Sequence, residues 1–554
     1  MNQFSFRYDV TGNHDETEGI GSWCASADAS VDHTTSLTEA IRSVRRPLFL
    51  VREDTGLVAQ LGGVGQLGSA AGQGHPIAGY APPCLPENLG NPSFCRDLGI
   101  RFPYLGGSMA KGISSAAIAE ELGRAGMLGF FGAAGLPLAQ VEAAIDRLNS
   151  SLGDLPFGFN LIHSPHEPDL EHDLAELYIR KGVRIVEASA FLDLTLPLVR
   201  YALHGIRRTP EGRITLPNRV IAKVSREELA AKFFSPAPEK FLRELVANGS
   251  LTAEQAELAA QVPLAQDVTA EADSGGHTDN RPAIALFPTI VSLAARLQGQ
   301  YRYDRKLRVG LAGGISTPAS AAAAFAMGAA YLMTGSVNQA CLESGTSDSV
   351  RALLAETRQA DVIMAPAADM FEMGVTVQVL KRGTMFPMRA AKLYEIYRSC
   401  GSLDEIPAAE REKLEKTFFQ AGVDEIWRDT RSYFLGRDPS QVERAERDPK
   451  HKMALVFRWY LGMAAHWAKD GSDKRRMDYQ VWCGPAMGAF NEWTAGSFLQ
   501  SPEQRKVVTV ALNILYGAAA VSRANFLRSQ GIDLPQEAVA LQPLELAQIK
   551  EYLC

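Results

Sequence analysis

Seven cysteines in 554 residues, scattered at positions 24, 84, 95, 341, 400, 483 and 554 and never spaced Cys-x-x-Cys, leave neither a disulfide framework nor a zinc ribbon. An odd, dispersed set of thiols suits a reducing compartment, and a cytosolic location is expected. Positive charge is also in deficit. There are 56 Lys and Arg against 63 Asp and Glu, a net charge of −7 with a pI of about 5.9. That argues against nucleic acid as the main partner. The start, Met1-Asn-Gln-Phe-Ser-Phe, lacks the basic and apolar regions of a signal peptide. No run reads as a membrane span: the most apolar, Ala319 to Met333, is mostly alanine and contains Gly328, which suits a small-residue helix leading into a strand. No internal repeat is evident, and no Gly-Lys-Ser/Thr loop calls for a nucleoside triphosphate. What remains is an ordinary globular composition, 46% hydrophobic and 21% charged, long enough for more than one domain.

Residues 1–45 are polar and read as a loosely held arm. Pro47 to Val51 and Leu57 to Leu61 flank Glu53-Asp54-Thr55-Gly56 as a β-hairpin. Gly62-Gly-Val-Gly-Gln-Leu-Gly68 contains Gly-x-Gly-x-x-Gly, but the segment after it cannot open a helix, so a dinucleotide fingerprint is rejected. Prolines 82, 83, 86 and 92 mark a loop-rich connector.

From Arg101 short apolar runs alternate with helical patterns. The runs are Phe102–Leu105, Met127–Phe131, Phe157–Ile162, Arg184–Val186, Val220–Val224, Asp267–Ala272, Arg308–Ala312 and Ala330–Met333. Eight such steps in about 235 residues predict a closed parallel (β/α)8 TIM barrel, which typically takes about 250. An open doubly wound sheet is the alternative. The chain divides into 1–100, an arm and hairpin region; 101–338, the barrel; 339–420, a helical lid; and 421–554, a helical extension.

Barrel chemistry collects at the carboxyl ends of the strands. Here those ends carry Gly107, Met109, Asn160, Lys223, Gly275, Gly276, His277, Gly313, Gly314, Gly335 and Ser336. In Asp273-Ser-Gly-Gly-His277-Thr-Asp-Asn280, a strand breaks into glycines and presents an imidazole among polar residues, as an acid/base group over a ligand would be. The plain alternative is a polar turn with an incidental histidine. The loops Leu311-Ala-Gly-Gly-Ile-Ser-Thr-Pro318 and Met333-Thr-Gly-Ser-Val337 follow the last two strands, where barrels bind phosphate. His163, His166, Glu167, Glu171 and His172 lie too irregularly to share a helical face, and no metal site is expected. Residues 401–449 read as solvated helix, and Met453–Trp467 and Val507–Ala520 as a second core. The Met-rich stretch Met364 to Met388 could line an acyl pocket or simply pack a core.

These residues resemble the PfaD family, enoyl reductases acting in trans on polyunsaturated fatty acid and polyketide synthases. The resemblance rests on Asp273–Arg281, Gly112-Ile-Ser-Ser115, Phe159–Pro165, Val186–Phe191, Val220–Arg226, Met364–Gly374, Lys381–Arg389, Phe457–Gly462 and Cys483–Asn491, and covers roughly Tyr104 to Arg523. The wider superfamily is that of nitronate monooxygenases and flavin-dependent enoyl reductases. Its usual Glu-Ala-Gly-Gly-His stands here as Asp273-Ser-Gly-Gly-His277, so small nitronates are not assumed as substrates.

The resemblance implies an FMN-binding barrel followed by a helical substrate domain. FMN phosphate would sit on Gly313, Gly314, Gly335 and Ser336. The ring would lie near Gly107, Met109, Asn160, Gly275 and Gly276, with Lys223 at its pyrimidine edge. NADPH would reduce the flavin, and His277 would polarise or protonate a 2-enoyl thioester. Acyl carrier protein domains would be transient partners, with neither nucleic acid nor membrane involved, and a homodimer is compatible with this reading. Two alternatives stand: a nitronate-type flavoenzyme on a small substrate, and a non-catalytic component of a synthase assembly. An acidic carrier would dock on local positive charge, and the strongest basic clustering in the recognised region is Lys450, Lys452, Lys474, Arg475 and Arg476, with a solvated, salt-bridged helix face as the alternative.

Overall fold

The structure is a computed structural model that describes residues 19–25, 36–54, 56–68, 74–163 and 168–553. The chain forms two compact units, Met1–Pro86 with Leu515–Cys554, and Glu87–Ile514.

The larger unit is built on a closed barrel of eight parallel strands: β1 (Tyr104–Gly106), β2 (Leu128–Phe131), β3 (Gly158–Ile162), β4 (Ile185–Ser189), β5 (Arg219–Val224), β6 (Asp267–Glu271), β7 (Arg308–Ala312) and β8 (Leu332–Thr334). Each strand pairs with the next in the chain. The pairing Leu332↔Tyr104 closes the ring. The strands are short apolar runs because helices cover one face and the barrel interior the other. All four residues of β2 and all five of β4 are buried. Helices fall between the strands where expected, and local signals start them. Ser115 Oγ accepts from Ile118 N at 3.2 Å ahead of Ala116–Arg124. Thr317 forms a capping box with Ser320 ahead of Pro318–Ala326. Between β5 and β6 the chain holds one more helix than the sequence pattern suggests, Glu239–Ala247.

After β8 the helices Ser336–Gln339 and Asp348–Ala355 come first, as the helical pattern predicts, and a β-hairpin that the pattern does not suggest follows them: β9 (Val362–Pro366) and β10 (Thr376–Leu380). Thr376-Val-Gln-Val-Leu380 has the β-branched alternation of a strand, which the flanking methionines obscure. Gly276–His277 adds to this hairpin as a third, two-residue strand, in the register Gly276↔Gln378 and His277↔Val377.

The helices that follow enclose a second core around Phe371, Phe386, Phe419, Phe457, Tyr460 and Leu461. Residues 401–449 are not wholly solvated. Leu403, Ile406, Leu414, Phe418, Val423 and Ile426 are buried in this core, because the charged stretch carries one apolar stripe. The helix Pro449–Asp470 is its central element, capped by Asp448 and ended by Gly471 in the left-handed region (φ 70°).

In the smaller unit the expected hairpin is present, with Leu48–Glu53 antiparallel to Gly56–Leu61. It belongs to a five-stranded sheet with His75–Ala81, Gly21–Cys24 and Val64–Leu67. The polar arm therefore contains structure: the strand Gly21–Cys24 and the helix Leu37–Arg42. Val64–Leu67, within the glycine-rich loop, pairs antiparallel with Gly21–Cys24 and opens no helix. Trp23, Phe49, Val51 and Ile77 form the core of this sheet. Among the described residues one helix, Val507–Arg528, is long and apolar enough to cross a membrane, and 83% of its apolar window is buried inside the protein.

Candidate active site

The strand ends of the barrel, the hairpin β9–β10, the helix Pro449–Asp470 and the segment after it surround one cavity of about 360 Å³. All eleven site residues named from the sequence line it: Gly107, Met109, Asn160, Lys223, Gly275, Gly276, His277, Gly313, Gly314, Gly335 and Ser336. The loops after β7 and β8 meet here. Gly313 and Gly314 have φ of 83° and 74°. A Cβ on Gly313 would stand 2.6 Å from the carbonyl of Ala272, so no other residue fits that turn. The backbone N–H groups of Gly313, Gly314, Gly335 and Ser336 have no acceptor among the described residues. Asn160 spends its Oδ1 on the N–H groups of Ala133 (2.6 Å) and Ala134 (3.3 Å), while its Nδ2 has no partner among the described residues.

Three successive strands place a charged triad at the cavity floor. Lys223 Nζ lies 3.2 Å from Glu187 Oε1 and 3.2 Å from Glu271 Oε1. Glu187 is fully buried and also accepts from Ser108 N (2.9 Å), Ser108 Oγ (2.8 Å) and Ser189 Oγ (2.8 Å). Burial works against the Lys223 ammonium, but the two carboxylates outweigh it and hold its pKa above the ordinary lysine value. Lys223 is therefore a fixed cation, and the interior ion pair with Glu187 is present.

His277 is pinned on both sides. Its backbone pairs with Val377 of β10, and its Nε2 lies 3.2 Å from Oδ2 of Asp369 in the turn of the same hairpin. That is ion-pair distance without hydrogen-bond alignment, since Nε2 makes no geometric hydrogen bond. Burial disfavours the imidazolium, but Asp369 outweighs it and the pKa is raised above the ordinary histidine value, with Glu271 adding to the rise and Lys223 opposing it. The polar residues flanking His277 in sequence do other work. Asp273 Oδ1 accepts from Gln378 Nε2 (2.8 Å) and Asn280 Nδ2 (2.9 Å), and Asp279 forms a bidentate pair with Arg226 at 2.9 Å. They fix the loop to β10 and to the end of β5. Opposite, Gly275 and Gly484 pack backbone on backbone: a Cβ on either would come within 2.8 Å of the other segment. Gly484 N also donates to Ser336 Oγ at 3.2 Å.

Several lining residues were not among the site residues named from the sequence, although Asp369 and Gly484 lie within motifs that carry the family resemblance. Asp369, Glu271, Gln480, Trp482 and Gly484 line the cavity, as does Lys111, whose Nζ donates to Gly462 O at 3.0 Å. Burial, aided by Lys469 and opposed by Asp470, lowers the Lys111 ammonium to about 8. Lys111 and Ala190 both sit in the left-handed region, with φ of 59° and 58°, a strain that tends to collect at functional sites. Of the Met-rich stretch no methionine lines the cavity. Ala368, Asp369 and Val377 do, so the stretch serves packing and the hairpin. Part of the histidine-rich segment, residues 164–167, lies outside the described residues. Of the rest, His163 Nδ1 contacts Glu171 Oε2 at 3.0 Å.

The basic cluster divides. Arg475 is committed internally: its guanidinium donates to the carbonyls of Phe418 (2.8 Å) and Phe419, pairs with Asp478 and lies 4.1 Å over Trp467. Lys450 and Lys452 cover the rings of Tyr397 and Trp427. Lys474 and Arg476 are exposed and have no ion pair among the described residues.

Comparisons with known proteins agree with this architecture. Residues 400–479 match the family model described as [acyl-carrier-protein] S-malonyltransferase, inserted helical domain. The chain is 46% identical over 524 residues to one component of the polyunsaturated fatty acid synthase of Thraustochytrium sp., covering 93% of this chain and 34% of that protein. It is 44% identical over 436 residues to polyketide biosynthesis protein PksE of Bacillus subtilis, covering 78% of this chain and 56% of that one. It thus spans between about a third and about half of these relatives' own length. The crystal structure of the enoyl reductase domain of MlnA, from the macrolactin cluster of Bacillus amyloliquefaciens, superposes with a TM-score of 0.74 at 40% identity, over 80% of this chain and 99% of that one. With its motifs set around one barrel mouth and these matches across its length, the chain belongs to the PfaD family of synthase-associated barrel proteins.

Proposed function

We propose that the chain is an FMN- and NADPH-dependent enoyl reductase acting on 2-enoyl thioesters carried by acyl carrier protein domains of a synthase. The observation that carries this reading is the meeting, in one cavity, of two glycine-bearing loops whose N–H groups have no acceptor among the described residues and an imidazole facing a carboxylate. The names of the similar proteins support it, since they are a component of a polyunsaturated fatty acid synthase, a polyketide biosynthesis protein and an enoyl reductase domain.

The residues present fit the cofactor. Gly313, Gly314, Gly335 and Ser336 offer N–H donors to a phosphate, a role in which charge-assisted bonds are strong. The small residues Gly107, Gly275 and Gly276, with Met109, leave room for a ring system. Bound there, FMN reduced by NADPH would supply the hydride that reaches the β-carbon of the enoyl thioester. Lys223, kept charged by Glu187 and Glu271, stabilises negative charge that develops at the barrel mouth. Hydride addition leaves charge on the thioester oxygen and requires a proton at the α-carbon. His277, whose imidazolium form Asp369 favours, would donate a hydrogen bond to that oxygen or its proton to that carbon. Asp369 keeps its carboxylate oriented by accepting from Met370 N at 3.1 Å.

Denaturing the purified protein and chromatographing the released cofactor should yield FMN. FAD, or no flavin even after reconstitution, would overturn the assignment. The loaded protein should oxidise NADPH with 2-butenoyl N-acetylcysteamine and yield the saturated thioester. Turnover of a nitronate without turnover of the enoyl thioester would contradict the reading.

A further inference from the structure

The opposite end of the barrel holds a second cavity, of about 420 Å³, which the proposed reaction does not use. Its walls are the starts of β5 and β6 and the segments 260–266 and 301–305. The amino-terminal ends of barrel strands ordinarily serve stability, so charge left uncompensated there needs an explanation. Arg219, the first residue of β5, lines this cavity, is half-buried and has no ion pair among the described residues. The nearby carboxylates are engaged elsewhere. Asp267 takes Nε and Nη2 of Arg308 at 2.6 and 2.9 Å, and Asp97 takes Nη1 of Arg308 at 2.9 Å with Arg305 at 3.7 Å. Arg208 and Arg302 line the cavity as well, exposed, with Asp304 beside them. The lining itself carries four guanidiniums, Arg208, Arg219, Arg302 and Arg305, against two carboxylates, Asp267 and Asp304, an excess of two positive charges. Burial lowers the pKa of Arg219, with Asp267 and Asp97 only partly opposing, as expected of a cation lacking its counter-charge.

We propose that this cavity is a binding site for the phosphate dianion of a small ligand, with Arg219 at its floor and Arg208, Arg302 and Arg305 at its rim. A phosphate dianion matches the excess charge, and guanidinium forks match its oxygens in pairs. Tyr301, exposed at the same wall and stacked on Tyr303 with ring centroids 5.2 Å apart, offers a face to an aromatic or heterocyclic group borne on the phosphate. The site is independent of the proposed reaction.

Calorimetric titration of the flavin-loaded protein with inorganic phosphate and with phenyl phosphate at low ionic strength tests the idea. One saturable site is expected, weakened at least tenfold in Arg219→Gln, retained in part in Arg219→Lys and unchanged in Arg207→Gln, whose side chain is exposed outside the cavity. Tighter binding of phenyl phosphate, lost in Tyr301→Ala, would mark an organic phosphate as the ligand; equal binding would mark free phosphate. Absence of saturable binding with either probe, or undiminished binding in Arg219→Gln, overturns the proposal. If Arg219→Gln does not fold, the exposed pair Arg302→Gln/Arg305→Gln must weaken binding severalfold, and unchanged binding there overturns it equally.

Discussion

Asp369 sets the direction in which the titration of His277 departs from that of an ordinary imidazole. Burial alone pushes the imidazole toward its neutral form, and the carboxylate 3.2 Å away reverses that. A group with a raised pKa is protonated below it and loses its proton as pH rises through it. Enoyl reduction that needs the imidazolium should therefore decline on the alkaline side of ordinary histidine titration. In Asp369→Asn, burial acts without its main counterweight, and the decline should move to lower pH; Asp369→Glu should restore part of the shift. A pH–rate profile of flavin reoxidation checks this, and coincident profiles for wild type and Asp369→Asn would remove Asp369 from the mechanism. His277 was legible in the sequence because Gly-Gly-His interrupts a strand. Asp369 was not, since only the pairing of Gly276–His277 with β10 brings the two together. Lys223 was legible as a strand-end cation, while its contacts with its carboxylate partners emerge only from the barrel's pairing of β4, β5 and β6. Glu271 reads in sequence only as the polar end of β6.

At the scale of elements, the barrel was legible because each buried parallel strand is an apolar run bounded by caps and glycines. All eight appear, with ends displaced by at most two residues except at β4, which runs three residues past Val186 to Ser189. The hairpin β9–β10 escaped because methionine and alanine dilute its β-branched pattern, and the segment 479–493 gave no sign that it forms a cavity wall. The turn after β7 invites two substitutions. Gly313→Ala puts a Cβ within 3 Å of backbone and adds left-handed strain of about 1–2 kcal/mol. Gly314→Asp meets open space but sets a carboxylate against a phosphate. Both should purify with a flavin-to-protein ratio well below that of wild type. Gly314, at φ 74°, also takes left-handed strain on substitution, but Gly313→Ala, with its added backbone clash, should lower Tm further below that of cofactor-free wild type. Full flavin occupancy in Gly314→Asp would place the phosphate elsewhere.

For the whole molecule, a net charge of −7 works against an acidic carrier, so the proposed docking would rely on local positive charge. Lys474 and Arg476 have no ion pair among the described residues, whereas Arg475 caps carbonyls at the end of a helical turn and packs on Trp467. Lys474→Glu/Arg476→Glu should raise KM for carrier-bound substrate, less so as salt is added, because exposed charges are screened over about 8 Å at physiological ionic strength. Turnover of the free N-acetylcysteamine thioester should not change. Arg475→Glu should instead lower Tm and depress both activities together. Equal KM for carrier-bound substrate in wild type and the double variant would place the carrier on another surface.

The most direct measurement mixes the anaerobically reduced, flavin-loaded protein with a short 2-enoyl thioester in a stopped-flow instrument. The account predicts flavin reoxidation with formation of the saturated thioester. In His277→Ala, reoxidation should slow by about 10²–10³, the cost of one transition-state donor at about 2.7–4 kcal/mol, while reduction by NADPH stays at the wild-type rate. A reduced flavin that the thioester leaves untouched, or a His277→Ala variant that slows only the NADPH half-reaction, would contradict it.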